Sequence, residues 1–397
     1  MIECDFLIIG AGVIGLSVAH SLQSKYKNSS ILIIEKESDV ALHASGRNSG
    51  VLHAGFYYTA DSLKAKFTLE GNQRLKEFCY RYQLPVNECG KVVVTKDESE
   101  LEGLYELKKR GDTNGVELYL IDQNRLLEIE PNAKTYKEAL YSPNTATVNP
   151  TEVVKKRRDI VVQNGAKLYT NTQFKHNIGL NTIETNQGKI RATKIINTAG
   201  LYADKIASSF GFGDAYTIIP FKGIYLRYSG KTTPIKTNIY PVPKLENPFL
   251  GVHYTLTVDG TTKIGPTAIP AFWRENYDGF SNFNIEEMIE ILYYETKLFA
   301  TDSFHFRKLA FEEFQKYSPN KLVSLAQSMV KSIEKEKFDS WSKPGIRAQL
   351  LHKESLELVQ DFVVEGDNNS VHILNAVSPA FTCSFAFSEW IVNQFID

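Results

Sequence analysis

Six residues near the front of the chain, GAGVIG at 10–15, hold three glycines at a spacing suited to binding a pyrophosphate. Gly10 permits a tight turn, Gly12 lets the backbone approach the phosphates, and Gly15 lets a helix pack closely on the preceding strand. Glu35 ends the run ILIIEK twenty residues after Gly15, where a carboxylate can accept both hydroxyls of an adenosine ribose. A second segment, HASGRNSGVLHAGFYY at 43–58, packs Gly46, Gly50 and Gly55 together with two histidines, an arginine and three aromatics, without helical or strand period. By residue type alone it could equally be a glycine-rich surface loop.

The elements that must position these groups follow from hydrophobic period. Residues 3–9 read as a strand, and Leu16, Ala19 and Leu22 continue after the glycines at helical spacing, giving strand, turn and helix. The helix N-terminus then faces the phosphates. Farther on, KIINTAGLYADKIA at 194–207 reads as a buried strand, a sharp Ala199-Gly200 turn and a new helix. GAGVIG by itself leaves FAD and NAD open. The NTAG turn resembles the second nucleotide-side motif of flavoproteins in the D-amino-acid oxidase and glycine oxidase superfamily, and no second GxGxxG is present for a nicotinamide. FAD is therefore expected as the sole redox cofactor.

Between these motifs the spacing predicts a helix over 62–83, with Leu63, Phe67, Leu75, Phe78 and Tyr82 on one face and Pro85 ending it. CGKVVVT and VELYLID read as strands around the helical stretch ESELEGLYELKKRG. A helix starts at Pro150 and Thr151 and is closed by Gly165, and KLYTN leads back toward NTAG. Residues 216–262 carry aromatics, prolines and short strands, and two long helical patterns follow near 284–299 and 307–335. GIRAQLL, QDFVVEG and SVHILNAVS are short strands that return the chain to the first domain before a terminal helix, SFAFSEWIVNQF. The fold expected is α/β: a Rossmann-like FAD-binding domain from residues 1–85, 146–215 and 345–397, with a discontinuous α+β substrate domain from 86–145 and 216–344 built on a mixed β-sheet.

Composition narrows the function classes. A chain of 397 residues with 43% hydrophobic content fills two cores, and 45 basic against 46 acidic residues leave no field to attract nucleic acid. Cys4, Cys79, Cys89 and Cys383 show no CxxC spacing, so neither a disulfide framework nor a metal site is expected, and reduced thiols suit a cytoplasmic protein. Met1 runs straight into CDFLIIG without a signal-peptide pattern, and the longest apolar run, FLIIGAGVIGLSVA, is short for a bilayer and broken by glycines. KKRR at 155–158 leaves peripheral contact with the inner face of a membrane open, although four basic residues on one helix usually form a solvated face.

Long segments in order carry a closer resemblance: HASGRNSGVLHAGFYY, SLKAKF with GNQRL, LPVNECGKVVV, PFKGIY, YPVPKLENPFLGVHYT, IGPTAIPAFWREN and LNAVSPAFT. With them the chain resembles the L-2-hydroxyglutarate dehydrogenase/oxidase family, a branch of the same FAD superfamily. The resemblance implies oxidation of L-2-hydroxyglutarate, or a similar 2-hydroxy acid, by hydride transfer to the flavin. It leaves the electron acceptor open among oxygen, a quinone and an electron-transfer protein. An amine or amino-acid oxidase on the same scaffold is the alternative within enzymes, and a non-catalytic flavin-binding protein is the alternative outside them. Three positions depart from the family pattern. Leu256 follows His253-Tyr254-Thr255 where an arginine is common, and Phe381 and Cys383 stand where smaller residues adjoin the flavin.

The resemblance also implies roles. Residues 43–58 wrap the flavin, with cofactor contacts from Ser45, Arg47, Asn48, Ser49 and Gly50, joined by Lys36 beside Glu35, Ala199 and Gly200 at the second turn, and Ala380 and Thr382 where the last helix begins. That helix start could stabilise negative charge on reduced flavin. Loss of a Cα hydride from a hydroxy acid needs a group to take the hydroxyl proton, and His53 is the choice, with His43 disfavoured because it enters where the pyrophosphate lies. Arg347 in GIRAQ resembles the arginine with which glycine-oxidase relatives grip a carboxylate. Lys222 in PFKG could add a second positive charge. His253, sharing a strand face with Thr255, could bind the distal carboxylate, and Arg274 is a weaker candidate for that task.

Overall fold

The apolar run Phe6–Ile9 needs cover on both faces, and it obtains it because the strand Ile2–Ile9 lies between parallel neighbours with Phe6 through Ile9 buried. It pairs in parallel with Ile31–Ile34 on one side and Gly188–Asn197 on the other. Lys167–Tyr169 extends the sheet beyond Ile31–Ile34, and Ser370–Asn375 joins the end of Gly188–Asn197, also in parallel. Antiparallel strands Phe174–Gly179, Thr182–Thr185 and Val363–Gly366 complete eight. The computed structural model describes residues 1–243 and 250–396. Residues 244–249, in the middle of YPVPKLENPFLGVHYT, and Asp397 lie outside the described residues.

Four helices contribute to the core against this sheet. Val13–Lys25 packs against Pro150–Gln163 and against the terminal helix Ala380–Phe395, which in turn packs along Leu63–Arg81. Helix starts fall where the caps predict. Ser62 accepts the Ala65 amide at 3.1 Å, and Asn149 accepts the Thr151 amide at 3.1 Å, with Pro150 in the first turn. The expected pattern over 307–335 instead forms two helices, Phe306–Gln315 and Pro319–Gln327. Pro319 has no N–H to continue the first helix but suits the opening turn of the second.

A second eight-stranded sheet is mixed. Its order is Phe338–Trp341, Leu226–Tyr228, Thr262–Gly265, His253–Leu256, Asn238–Pro241, Lys91–Val94, Glu138–Ser142 and Tyr119–Asp122. Only Asn238–Pro241 and Lys91–Val94 pair in parallel within it. Gly345–His352, expected to return the chain to the nucleotide side, pairs along its whole length with Tyr216–Gly223 through eight matched residues. Ile269–Pro270 completes that three-stranded sheet.

The KKRR run does not form one solvated face. Lys155 and Arg158 pair with Asp39, whereas Arg157 is buried with its guanidinium carbon 4.0 Å from the Phe385 ring centroid. Among the described residues no helix is long and apolar enough to cross a membrane.

Gly71 fixes how closely Leu63–Arg81 meets the terminal helix, because a Cβ there would lie 2.3 Å from the Thr382 carbonyl oxygen. Gly71→Ala is expected to force the helices apart and to cost about 1–3 kcal/mol of stability. Urea unfolding of wild type and variant measures it, and an unchanged midpoint would contradict this packing.

Candidate active site

The turn at residues 10–15 closes through backbone contacts that leave no room for side chains. Gly10 has φ +102°, and a Cβ on Gly15 would lie 2.0 Å from the Gly10 carbonyl oxygen and 2.6 Å from Thr198 Oγ1. Gly15 thus packs helix on strand and stays off the cavity. Gly12 caps Val13–Lys25 and lines the cavity; the nearest atom to a Cβ there is Ser45 Oγ at 3.0 Å. The Val13 amide donates to that hydroxyl at 2.9 Å. Glu35 accepts the Ala11 amide at 2.9 Å and the Glu37 amide at 3.0 Å, which holds its carboxylate at the strand end beside the turn.

From this turn a continuous cavity of about 1130 Å³ runs to His253 and Arg347. Its size exceeds the ~300–1,000 Å³ of an ordinary small-molecule pocket. The glycine cradle, the carboxylate and the length of the cavity fit a dinucleotide. Lys36, Ser45, Arg47, Asn48, Ser49, Ala199, Gly200, Ala380 and Thr382 line it, as do His53, His253 and Arg347. Lys36 is bonded to Glu37 and lies 2.6 Å from Glu275. His43 bridges Glu37 at 2.9 Å and the Tyr277 hydroxyl at 2.8 Å, so the 271–283 segment is tied over the nucleotide end. Glu37, His43 and Glu275 bring possible metal-ligand atoms within 4.8 Å of one another, and the Lys36 ammonium supplies positive charge to both acids.

Segment 43–58 is irregular because its polar groups hold its own turns. Asn48 Nδ2 donates to the Ser45 carbonyl at 2.9 Å, and its Oδ1 accepts the Gly50 amide at 2.9 Å. Arg47 donates to the Leu42 and Pro344 carbonyls and stacks 4.3 Å from the Tyr277 ring centroid. Gly50 does not line the cavity. At φ +76° a Cβ would meet the Val148 carbonyl at 2.2 Å, so this glycine lets two strands approach. The Thr382 hydroxyl accepts the His53 amide at 3.2 Å and donates to the Val51 carbonyl at 3.3 Å, anchoring the terminal helix to the histidine's backbone.

At the far end the histidines are buried and neutral. Burial first, then Lys91 and His253, holds His53 well below the usual imidazole range. Burial brings His253 down to about 3, with Lys91 and Arg347 adding to the effect. His253 Nδ1 donates to the Gly251 carbonyl at 2.8 Å, which leaves the lone pair on Nε2, and the ring stacks on Tyr240 at 3.7 Å. Arg347 donates to the Thr267 carbonyl at 3.0 Å, and Gly223 leaves space beside it, a Cβ there lying 3.3 Å from Nη1.

Two expected cations lie elsewhere. Lys222 pairs with Ile346 in the ladder while Arg347 pairs with Phe221, so strand alternation turns Lys222 to the opposite face, where its amine lies 3.5 Å from Asn276 Oδ1. Arg274 is 1% exposed and binds both oxygens of Asp204 at 2.7 and 2.8 Å, a structural clamp. The same alternation sends Leu256 into the hydrophobic core with Tyr254, away from His253. Phe381 lines the cavity, whereas Cys383 is buried against Thr68 at 3.3 Å. Tyr57, Tyr58, Lys64, Tyr225 and Tyr240 also line the cavity without having been singled out, although all five stood inside quoted motifs: HAGFYY, SLKAKF, PFKGIY and YPVPKLENPFLGVHYT.

A family model described as FAD dependent oxidoreductase matches residues 5–394. An L-2-hydroxyglutarate dehydrogenase of Escherichia coli is 34% identical over 396 residues, covering 98% of this chain and 92% of the relative. The mitochondrial L-2-hydroxyglutarate dehydrogenase of Mus musculus is 35% identical, covering 97% of this chain and 87% of the relative. The chain belongs to the FAD-dependent oxidoreductases, in the L-2-hydroxyglutarate dehydrogenase family. Solved structures share the fold. An L-α-glycerophosphate oxidase from Mycoplasma pneumoniae with FAD bound has a TM-score of 0.76 at 23% identity, covering 99% of this chain and 94% of that one. A glycine oxidase from Geobacillus kaustophilus has a TM-score of 0.73 at 16% identity, covering 100% and 95%. FAD is the cofactor of this oxidoreductase family, and the cavity described above is built to hold it.

Unfolding frees the buried imidazoles to titrate near 6.5, so the unfolded chain takes up protons first as the pH falls. The stability that depends on their neutral burial is present above pH 6.5 and is lost as the pH falls from there toward about 3 for His253. The thermal midpoint is expected to drop between pH 6.5 and 4.5, with a shallower slope in His253→Asn. Equal slopes in the two proteins would contradict a neutral buried His253.

Proposed function

We propose that the protein oxidises L-2-hydroxyglutarate to 2-oxoglutarate. The observation that carries this reading is the meeting of His53, His253 and Arg347 at one end of a cavity whose other end has the glycine turn and Glu35. The names of the relatives supply the substrate. In this reading residues 1–85, 146–215 and 345–397 serve the cofactor, and 86–145 with 216–344 shape the substrate end. In the same reading the protein works in the cytoplasm and passes its electrons to oxygen, a quinone or an electron-transfer protein.

FAD, when bound, supplies the acceptor for the hydride that leaves Cα. The chain's own residues prepare that step. Arg347 binds the carboxylate next to the reacting carbon, and its guanidinium fork orients the substrate. The imidazole of His53, neutral before the reaction, takes the hydroxyl proton as the C–O bond gains double-bond character. His253, whose one N–H is held by the Gly251 carbonyl, presents Nε2 as an acceptor only, so it shapes this end of the cavity and does not grip the distal carboxylate as expected. Tyr57, Tyr225 and Tyr240 keep water from this end of the cavity.

Anaerobic mixing of the yellow protein with L-2-hydroxyglutarate is expected to bleach the flavin absorbance, while the D isomer, sarcosine, glycerol 3-phosphate and amino acids leave it unchanged. Bleaching by an amine alone would overturn the assignment. His53→Asn is expected to slow the bleaching step by about 10²–10⁴-fold with little change in saturation. Arg347→Met is expected to raise the half-saturating concentration about 100-fold, as for loss of a buried carboxylate partner. Stopped-flow absorbance separates the two effects.

A further inference from the structure

Lys91 is a charge-bearing residue that the reaction described above does not use. It opens the strand Lys91–Val94, is fully buried, and its amine has no hydrogen-bond partner among the described residues. The amine lies 4.5 Å from the Tyr240 ring centroid, 4.9 Å from Tyr57 and 5.1 Å from Phe56. Sheet register explains the arrangement. Asn238 pairs with Lys91 and Tyr240 with Val93, so Lys91 and Tyr240 share a face; Ile239 pairs with Tyr254, which puts His253 opposite Tyr240 on that face. Tyr57, Tyr240, His53 and His253 form the cavity wall, and Lys91 lies directly behind it.

Aromatic faces attract an ammonium but do not neutralise it, and a buried charge without a counter-ion is unstable in its charged form. Burial accordingly lowers the Lys91 amine to about 7, with Cys89 alone opposing that shift. The groups facing it are His53 and Tyr57 from the 43–58 segment, Cys89 from its own approach, Tyr240 and His253 from the neighbouring strands, and, beyond His253, Arg347. None of these is a carboxylate. A group that arrives in the cavity with negative charge would supply what the protein withholds.

We propose that Lys91 is a specificity-determining residue that selects a dianionic substrate, its buried ammonium acting through the Tyr57–Tyr240–His253 wall as counter-charge to the carboxylate that Arg347 does not hold. This rests on the reading of the cavity end as the substrate site. Binding of a dicarboxylate draws a proton onto Lys91, because the anion favours the charged amine. A monocarboxylate of the same length satisfies Arg347 and leaves Lys91 without its counter-ion.

Calorimetric titration of the FAD-loaded protein with glutarate and with its monoamide tests this without turnover. Wild type is expected to bind glutarate at least ~10-fold more tightly than the monoamide, and Lys91→Met is expected to bring the two within about 2-fold while leaving monoamide affinity unchanged. Methionine replaces the lysine stem with an apolar chain of similar volume, a substitution that buried charges tolerate. In wild type, glutarate affinity should weaken from pH 6.5 to 9 while monoamide affinity stays level; this measurement stands even where the variant fails to load flavin. Retention of the full preference in Lys91→Met, a level pH response for glutarate, or no preference in wild type would each overturn the proposal. Failure of L-2-hydroxyglutarate to bleach the flavin, alongside a Lys91-dependent preference for glutarate, would sink the reaction assigned above and leave the role of Lys91 standing.

Discussion

Close docking of the terminal helix is the constraint on which the rest of the molecule depends. Ala380–Phe395 lies against both Val13–Lys25 and Leu63–Arg81, and its apolar residues complete the core beneath the parallel sheet. The contact is possible only because Gly71 presents no side chain to the Thr382 carbonyl. Once docked, the helix start reaches the cavity, and the Thr382 hydroxyl ties it to Val51 and His53. Packing, cofactor cavity and histidine placement are therefore one arrangement: a shift of the helix would move all three together.

The cavity divides its charges by distance along its length. At the nucleotide end, Lys36, Glu37, His43 and Glu275 compensate one another, and the resulting bonds hold the 271–283 segment in place. At the substrate end the balance is the reverse. Arg347 brings positive charge into a low-dielectric region, Lys91 takes up a proton when an anion arrives, and the two imidazoles between them remain neutral first because burial disfavours their charged form. A buried guanidinium near an amine that can take up a proton suits an anion. Tyrosines around this end, with hydroxyls that burial holds protonated, contribute surface without contributing charge.

Local order explains which features could be read from the chain in isolation. The strand, turn and helix at 2–25 are contiguous, their glycines are required by backbone geometry, and Ser62, Asn149 and Pro150 mark helix starts through bonds made within a few residues. The division of the 307–335 pattern was equally local, since Pro319 stood in plain view, but the apolar period continued across it and concealed the break. For Lys222 and Arg274 the residue type was informative and the direction was not. Each depended on which strand or acid it met, Ile346 across the ladder in one case and Asp204 in the other.

By itself the sequence determined a strand, glycine turn and helix, an acid at the end of the next strand, the family, and histidine and arginine candidates within recognisable motifs. Only the tertiary structure decided which candidates share a cavity, because strand parity and register, set by pairing partners up to hundreds of residues away, determine the face each side chain takes. Register turned Arg347 and His253 inward and Lys222 and Leu256 away. Register also placed Lys91, part of the run CGKVVVT that read simply as a strand, among three aromatic rings behind the cavity wall. A lysine's surroundings are fixed by what packs over it, and that is a property of the folded chain.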